Sequence, residues 1–420
     1  MRIGFLSFRL AGTDGVSLEV AKWAHIYKQL GHQVFFCAGE LDPALPGSLV
    51  GEMHFTHPAI RRVNAAFFGQ PEIGWDLAAE IDRLATQLVN SIHQFVTKNR
   101  IDVLIAENVL AIPMNVPLGV ALTRFLAASG MPAVGHHHDF YWERERFAHP
   151  DAQLLLEEYF APRMPNLKHV VINYLAQESL RARCGVDGLR VPNIFNFSVS
   201  APGIDPFSAD LRPALGIGDD QLMVLQPTRV IRRKGIELAL ELVRRLRLPS
   251  TRRALQGREV LLVITHASGD EGMDYLKELT QLAHQCEVPL IYAPERFAPA
   301  AGMGKQGKIY SLWSAYVQAD FVTYPSLYEG FGNAFLETIY FRLPLLVNRY
   351  PVYISDLRPL GFDVVEIDGV VNAETVEKCV TSIVDPVIRR RMVEKNFEIA
   401  REHFSYEAVA PLLESLLHPV

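Results

Sequence analysis

The feature that most constrains the fold is a repeated alternation of short apolar runs and amphipathic segments. The chain opens with the run RIGFLSF, a loop AGTDGVS and a segment, Leu18–His32, in which apolar residues recur at helical spacing. A second apolar run, QVFFCA, follows directly. This order predicts a strand, a helix and a second strand, which together form one βαβ unit of a parallel sheet.

Similar units continue along the chain in two series. The first series has the runs VLIAEN, AVGHHHD and HVVIN, and the second has LMVLQP, EVLLVIT, DFVTYP, PLLVN and DVVEI. Between them, residues 198–213 are dense in Pro, Gly, Ser and Asp, which is typical of a linker. We therefore predict an α/β chain with two doubly wound domains facing one another, over 1–200 and 201–395, and a final helical segment over 396–420.

Composition and charge exclude several classes of function. The 420 residues carry a net charge of −6, which argues against a broad basic face for nucleic acid. No stretch approaches 18 uninterrupted apolar residues, so we expect no transmembrane segment. The first residues do not have the pattern of a signal peptide, and the four cysteines lie far apart without a CxxC pair. These features are typical of a cytoplasmic protein with reduced thiols.

The stretch YPSLYEGFGNAFLETIYF places Glu329 and Glu337 on either side of a glycine-rich turn that begins a helix. Gly330 and Gly332 allow close approach of the backbone, and the free amides of a helix start suit an anion or a hydroxyl-rich ligand. Eight helical steps would separate the glutamates by about 12 Å, whereas the carboxylates of a retaining glycosidase lie about 5 Å apart. Each can instead accept hydrogen bonds from a sugar or ribose diol, or serve only as a helix cap or surface residue.

A basic turn, PTRVIRRKG, follows the first strand of the second series. Arg229 and Lys234 can grip a pyrophosphate there and neutralise the charge of a departing phosphate. The alternative is a solvated basic turn that opens a helix, and this is what we expect of Arg232 and Arg233.

The loop GTDGVS, residues 12–17, lies between the first strand and helix. It lacks the GxGxxG spacing, and no well-placed acidic residue follows the second strand, so an NAD-dependent dehydrogenase is not supported. Its glycines, Gly15 among them, make either a cradle for a phosphate or acceptor, or an ordinary tight turn.

The segment HHHDFYWERER ends a predicted strand. His136 and His138 should share one face while His137 faces away. A zinc site needs further ligands, and no nearby Cys or HxxxH pattern supplies them, so we predict no metal. His138 is either a hydrogen-bonding group at the strand end, with Asp139 orienting it or its loop, or an ordinary half-buried histidine.

These four stretches, in this order, resemble the family 4 retaining glycosyltransferases of the GT-B fold. The motifs GHQV at Gly31, VPN at Val191 and FSYE at Phe404 add to the resemblance, which covers nearly the whole chain. It implies two facing Rossmann-like domains, an acceptor-side domain first and a nucleotide-sugar-binding domain second. The C-terminal helix would cross back onto the first domain.

The resemblance also implies roles for individual residues. The diphosphate would be held by Arg229 and Lys234, and the ribose hydroxyls by Glu337. The donor sugar would meet His138, Glu329, Gly330, Phe331, Gly332 and Asn333, and the donor phosphates or the acceptor would meet Gly15. The catalytic residues would be His138, Arg229, Lys234 and Glu329.

The implied reaction is hexose transfer with retention, by attack of the acceptor on the face from which the nucleoside diphosphate departs. No cofactor or metal is required, because Arg229 and Lys234 replace the metal. The first loop and the histidine segment are similar to those of synthases of small glycosides, which implies GDP-mannose, or UDP-glucose, as donor and a small acceptor such as a glycerate-type glycoside.

Two departures and two alternatives stay open. Arg342 stands where the family usually has a glycine, and NRYPVY replaces a glycine-rich segment. A UDP-sugar 2-epimerase-like isomerase and a nucleotide-sugar-binding protein of the same fold are the alternatives to the transferase.

Overall fold

The computed structural model describes residues 1–12, 14–69, 74–268, 273–305 and 307–418. These residues form two compact units. The first comprises Met1–Ile194 together with Tyr406–Val420, and the second comprises Phe195–Ser405.

The first unit is built on a seven-stranded parallel sheet. In chain order its strands are β1 (Arg2–Ser7), β2 (Gln33–Ala38), β3 (Gly47–Leu49), β4 (Val103–Glu107), β5 (Ala133–His137), β6 (Leu167–Val171) and β7 (Leu189–Arg190). Their spatial order is β3-β2-β1-β4-β5-β6-β7. Its helices up to this point are α1 (Gly15–Gln29), α2 (Pro58–Phe67), α3 (Leu77–Asn99), α4 (Val116–Ser129), α5 (Gln153–Tyr159) and α6 (Tyr174–Cys184).

The second unit holds a six-stranded parallel sheet and a small three-stranded group. Its strands are β8 (Gln221–Gln226), β9 (Glu259–Ile264), β10 (Leu290–Tyr292), β11 (Phe297–Ala298), β12 (Gly302–Gly304), β13 (Gly307–Ser311), β14 (Phe321–Tyr324), β15 (Leu345–Asn348) and β16 (Val365–Ile367). The orders are β10-β9-β8-β14-β15-β16 and β11-β13-β12. Its helices are α7 (Leu211–Ala214), α8 (Ile236–Leu246), α9 (Pro249–Ala254), α10 (Asp274–Gln285), α11 (Leu312–Gln318), α12 (Asn333–Tyr340), α13 (Ala373–Val384) and α14 (Pro386–Phe404).

The last helix, α15 (Tyr406–Leu416), belongs to the first unit. Its apolar face, with Val409 and Leu413, joins the core that also holds Trp23 and Tyr27 of α1. The Tyr27 hydroxyl donates to the backbone oxygen of Leu413 at 3.1 Å, which satisfies a buried polar group and fixes the helix on α1. Of the helices in the described ranges, none combines the length and apolar character needed to cross a bilayer.

The predicted linker over 198–213 is wrong, because this segment belongs to the second unit and the chain passes between units at Ile194–Phe195. Ser208 is buried and exchanges hydrogen bonds with Asp205, and Lys308 of β13 pairs with Asp210. The second half of the segment is therefore ordered on the unit, whereas residues 198–206 are mostly exposed. Composition alone does not distinguish these two cases, since turns and linkers use the same residues.

Arg342, at the position where a glycine was expected, adopts a left-handed conformation with φ of 51°. That conformation favours glycine, since a side chain there meets the backbone. Two contacts with α14 offset this cost: Arg342 Nε lies 3.1 Å from Glu394 Oε1, and the guanidinium lies 3.7 Å from the centre of the Phe397 ring.

We expect Arg342→Ala to be less stable than Arg342→Gly by about 1 kcal/mol, since both lose the α14 contacts but only alanine keeps the backbone strain. Thermal or urea unfolding of the two variants measures the difference. Equal stability would show that the left-handed backbone carries no cost at this position.

Candidate active site

Two loops meet at the carboxyl edge of the second unit's sheet, where parallel strands place their ligands. One follows β8 and the other follows β14. The amide of Leu327 donates to the backbone oxygen of Arg233 at 2.8 Å, which joins the loops. Gly235, with φ of 57°, lies so close to the second loop that an added Cβ would be 2.5 Å from the Pro325 oxygen. This position therefore requires glycine for both conformation and space.

Glu329 is the centre of a buried ion cluster between these loops. It is 6% exposed, and its partner Lys234 is 8% exposed. Its Oε1 accepts hydrogen bonds from Lys234 and from the Ser326 hydroxyl, at 2.7 Å for the latter, and its Oε2 accepts from Arg233 at 2.8 Å. Burial raises the pKa of Glu329, but Lys234 and Arg233 outweigh it and the net pKa is lowered. The carboxylate therefore stays ionised and holds two cations at the sheet edge.

The outcomes differ for the two arginines expected to be solvated. Arg232 fits that expectation, since its side chain is 64% exposed and pairs with Glu278. The expectation was wrong for Arg233, which binds Glu329. Residues 232–234 form a single 3₁₀ turn, and three residues per turn direct successive side chains to different sides. A run of basic residues does not reveal that turn by itself.

Arg229 is exposed, and within the described ranges its side chain has no ion-pair or hydrogen-bond partner. It lies near enough to Lys234 and His266 for its charge to lower the pKa of both. Burial, reinforced by Lys234 and Arg229, lowers the pKa of His266 to about 4, so this imidazole is neutral at physiological pH. This edge of the second unit's sheet thus has the exposed guanidinium of Arg229 near Lys234, which is buried and paired with Glu329.

The helix after the second loop, α12, has structural constraints that the sequence did not reveal. Gly332 has φ of 137°, and a Cβ there would lie 2.8 Å from the Tyr350 hydroxyl. That hydroxyl donates to the Phe331 backbone oxygen at 2.7 Å. Inside α12, Glu337 accepts a hydrogen bond from the Tyr316 hydroxyl at 2.7 Å. Tyr350 and Tyr316 thereby fix the turn and the second glutamate.

A second polar cluster lies at the carboxyl edge of the first unit's sheet. Glu107 and His136 are register partners on β4 and β5, and His138 follows β5. Glu107 Oε2 lies 3.2 Å from His138 Nε2 and 3.0 Å from His136 Nδ1. As predicted, His137 faces the other way, where its Nε2 contacts His169 Nδ1 at 2.8 Å.

Glu107, His136 and His138 each offer one ligand atom, and these atoms lie within 4.8 Å of one another, so the cluster could hold a metal ion. The sequence prediction of no metal considered only cysteines and HxxxH spacings. It missed Glu107, whose signal is an acidic residue ending the strand beside the histidines. Burial raises the pKa of Glu107, but His136 and His138 lower it to about 2, so the carboxylate is ionised.

Asp139 orients the histidine loop, not the His138 ring. Its Oδ1 accepts from Asn108 Nδ2 at 3.3 Å, and its carboxylate pairs with Arg144. Asn108 in turn accepts a hydrogen bond from the His138 backbone amide at 2.8 Å. Of the two roles predicted for Asp139, these contacts favour the loop.

The glycine loop of the first unit is capped by its own carboxylate. Asp14 Oδ1 accepts from the amides of Val16 and Ser17, at 3.2 Å each, and Gly15 is exposed at the first position of α1. Thr13, in the same predicted cradle, lies outside the described residues. Two amides at this helix start are thus already bonded within the chain.

Comparison with known proteins identifies the family. No protein-family profile matches the sequence. Mannosylglucosylglycerate synthase of Petrotoga mobilis is 34% identical over 87% of this chain and 86% of its own. The enzyme of the same name from Thermotoga maritima is 32% identical over all of both chains. The chain belongs to the mannosylglucosylglycerate synthase family.

The fold of this synthase family member agrees with solved structures. A crystal structure of Anabaena HepE in complex with UDP-glucose matches it with a TM-score of 0.64 at 14% identity, covering 99% of each chain. The two parallel, Rossmann-like sheets are those of a GT-B glycosyltransferase, which confirms the predicted fold and the predicted class, a hexosyltransferase.

The predicted site residues of this synthase family member fall into two groups. In the second unit, Lys234 and Glu329 are bonded directly, and Arg229 lies near Lys234. In the first unit, His138 belongs to the Glu107 cluster, whereas Gly15 lies at the start of α1. The residues of these two groups that the sequence did not predict are Arg233, Ser326, Tyr316, Glu107 and Asn108.

We expect Gly332→Ala to weaken binding of a nucleoside diphosphate and to lower thermal stability, because the new methyl displaces the Tyr350 hydroxyl that fixes the turn. Gly361→Ala is the matched control, since Gly361 also has positive φ but nothing within 4 Å of an added Cβ. Thermal unfolding with and without GDP measures both effects. Equal losses in the two variants would attribute the effect to backbone strain alone.

Proposed function

We propose that this enzyme moves mannose from GDP-mannose to a glucosylglycerate-type acceptor, with retention of configuration and without a metal at the diphosphate. The name of the relatives supports the sugar and the acceptor. UDP-glucose is the second donor to test, since the structural neighbour HepE was crystallised with it.

The observation that carries the proposal is the concentration of cations at the edge of the second sheet. Arg229, Arg233 and Lys234 lie on one loop, and among the residues that the structure describes a single carboxylate, Glu329, pairs with two of these three cations. A nucleoside diphosphate supplies the missing negative charge, and a guanidinium binds its oxygens with directed hydrogen bonds. We assign the diphosphate to Arg229 and Lys234, as the sequence predicted, and add Arg233.

The remaining donor groups follow from the contacts around α12. Glu337 is held by Tyr316 and is partly exposed, and we assign the ribose hydroxyls to its carboxylate. Glu329 already accepts three hydrogen bonds, which leaves about one acceptor position of its four for a sugar hydroxyl. Gly330 and the amides of Phe331, Gly332 and Asn333 complete the contact with the sugar.

The engagement of Glu329 bears on the mechanism. To attack the sugar as a nucleophile, the Glu329 carboxylate would have to break its hydrogen bonds with Arg233, Lys234 and the Ser326 hydroxyl. We therefore favour direct transfer: the bond from the sugar's anomeric carbon to the phosphate oxygen breaks, and a bond to the acceptor oxygen forms on the same face. The acceptor's proton passes to the departing phosphate, whose charge the cations stabilise.

In the first unit we assign His138 to the transferred sugar and Gly15 to the donor phosphates or the acceptor. His138 lies at the carboxyl edge of its sheet, with its side chain 10% exposed. The domains keep the predicted division of labour, with acceptor binding in the first and donor binding in the second.

The reaction is tested by incubating the enzyme with GDP-mannose or UDP-glucose, with and without glucosylglycerate. We expect release of GDP that depends on the acceptor, and a product whose new linkage has the donor's anomeric configuration by NMR. An isomerised sugar from donor alone would identify a 2-epimerase. Donor binding without nucleotide release over a panel of small acceptors would identify a binding protein.

We expect Arg229→Ala to raise the Kd for GDP at least tenfold without changing the stability of the free protein, because the side chain is exposed and has no partner in the described chain. Arg232→Ala is the matched control on the same loop, since Arg232 pairs with Glu278. Calorimetry with GDP measures both. Lys234 is less suitable for this substitution, because its removal leaves the buried carboxylate of Glu329 with one cation instead of two and would destabilise the fold. Equal affinities of the two variants would contradict the diphosphate assignment.

A further inference from the structure

Two consecutive residues at the end of β4 hold His138 at two points. Glu107 Oε2 accepts a hydrogen bond from the ring at Nε2, 3.2 Å away, and Asn108 Oδ1 accepts from the backbone amide at 2.8 Å. The first contact fixes the ring and the second fixes the main chain that carries it. Glu107 is fully buried, and its Oε1 has no partner in the described structure, so its bonding is directed to the histidines through Oε2.

The backbone of Asn108 shows that this arrangement has a cost. Its φ of 59° is in the left-handed region, which asparagine tolerates better than most residues. The Asn108 side chain bonds to both the His138 backbone amide and the Asp139 carboxylate. The backbone amide of Asn108 donates to the His136 backbone oxygen at 2.9 Å. Strained backbone that is held by several hydrogen bonds is typical of a functional site.

Stacked rings support the His138 ring from the side. Trp23 is fully buried and stacks on His136 with 4.1 Å between ring centres and an angle of 16°. His136 contacts His138 in turn, with 4.3 Å between centres. His136 Nδ1 also lies near Glu107, but this contact does not have the geometry of a hydrogen bond. The hydrogen bond of Glu107 therefore fixes the ring of His138 and not that of His136.

We infer that Glu107 and Asn108 are positioning residues that hold His138 with Nε2 turned to the protein and Nδ1 presented to the substrate. Nδ1 has no hydrogen-bond partner among the residues that the structure describes. The inference rests on the proposed function, in which His138 acts on the transferred sugar, and adds which ring atom does so. Because the carboxylate of Glu107 accepts the hydrogen bond, Nε2 is the ring atom that carries the proton.

The test compares two amide substitutions of His138. The amide of asparagine reaches the position of Nδ1, whereas that of glutamine reaches the position of Nε2. We expect His138→Asn to keep at least tenfold more kcat than His138→Gln, with the KM for GDP-mannose within twofold of the parent in both. Equal or higher kcat in His138→Gln would overturn the inference.

Glu107→Leu and Glu107→Gln test the positioning role. Glutamine can still accept from Nε2–H through its oxygen, so we expect it to restore much of the kcat lost in Glu107→Leu, while calorimetric donor affinity stays unchanged in both. Asn108→Ala should likewise lower kcat and spare donor affinity. If Glu107→Leu does not fold, Asn108→Ala and the two His138 variants still decide. Unchanged kcat in Glu107→Leu or in Asn108→Ala, together with equal kcat in the two His138 variants, would contradict the inference.

Two further measurements distinguish a failure of the proposed function from a failure of the inference alone. Unchanged transfer in His138→Ala would refute the role of His138 in the proposed function itself. If His138→Ala loses most transfer but His138→Gln is at least as active as His138→Asn, only the choice of Nδ1 is refuted. Metal analysis of the purified enzyme is the second measurement. One transition metal per chain, lost in Glu107→Gln, would overturn the inference, because Nε2 and the carboxylate would then be ligands.

Discussion

The buried contact of Glu329 with Lys234 and Arg233 is the interaction on which the second unit's site depends. A carboxylate with 6% exposure stays charged only because cations and a hydroxyl compensate it, and a buried lysine needs the same carboxylate. The two cations come from the loop after β8 and the carboxylate from the loop after β14, so the ion cluster also sets the distance between these loops. Gly235 permits that approach, and the Leu327 amide fixes its register.

The first unit also has a buried carboxylate that holds neighbouring side chains, but the side chains are different. Glu107 is also a fully buried carboxylate at the carboxyl edge of a parallel sheet, but its neighbours are imidazoles, not permanent cations. A guanidinium held by a carboxylate keeps its charge at any physiological pH, which suits a group that binds phosphate. An imidazole held by a carboxylate gains a defined tautomer and orientation, which suits a group that must meet one hydroxyl of a sugar.

Much of the fold and part of the site could be predicted from the sequence. The apolar runs gave the strands, because a parallel strand buried on both faces is a continuous apolar segment, and Lys234 and Glu329 lay in loops directly after such runs. The roles of Arg233 and Glu107 were missed, since each acts through a partner in a distant part of the chain: Glu329 is 96 residues from Arg233, and His138 is 31 residues from Glu107. For Glu107 the signal was its place at the end of a strand, but the sequence alone does not state which strands are neighbours. The linker prediction missed a similar distant contact: Asp210, near the end of the segment 198–213, pairs with Lys308 of β13, 98 residues away.

Local charge, not net charge, decides what such a chain can bind. The whole molecule carries −6, yet its proposed donor is anionic, and so would be a glycerate-type acceptor. Screening limits the reach of the distant acidic residues to about 8–10 Å, whereas Arg229 stands at the sheet edge itself, beside a lysine whose own charge is already paired. In the proposed site, a diphosphate meets Arg229 directly and shares Lys234 and Arg233 with Glu329. The proposal therefore expects selectivity for a diphosphate over a single phosphate, because two linked anionic groups can meet Arg229 and Lys234 together while one cannot.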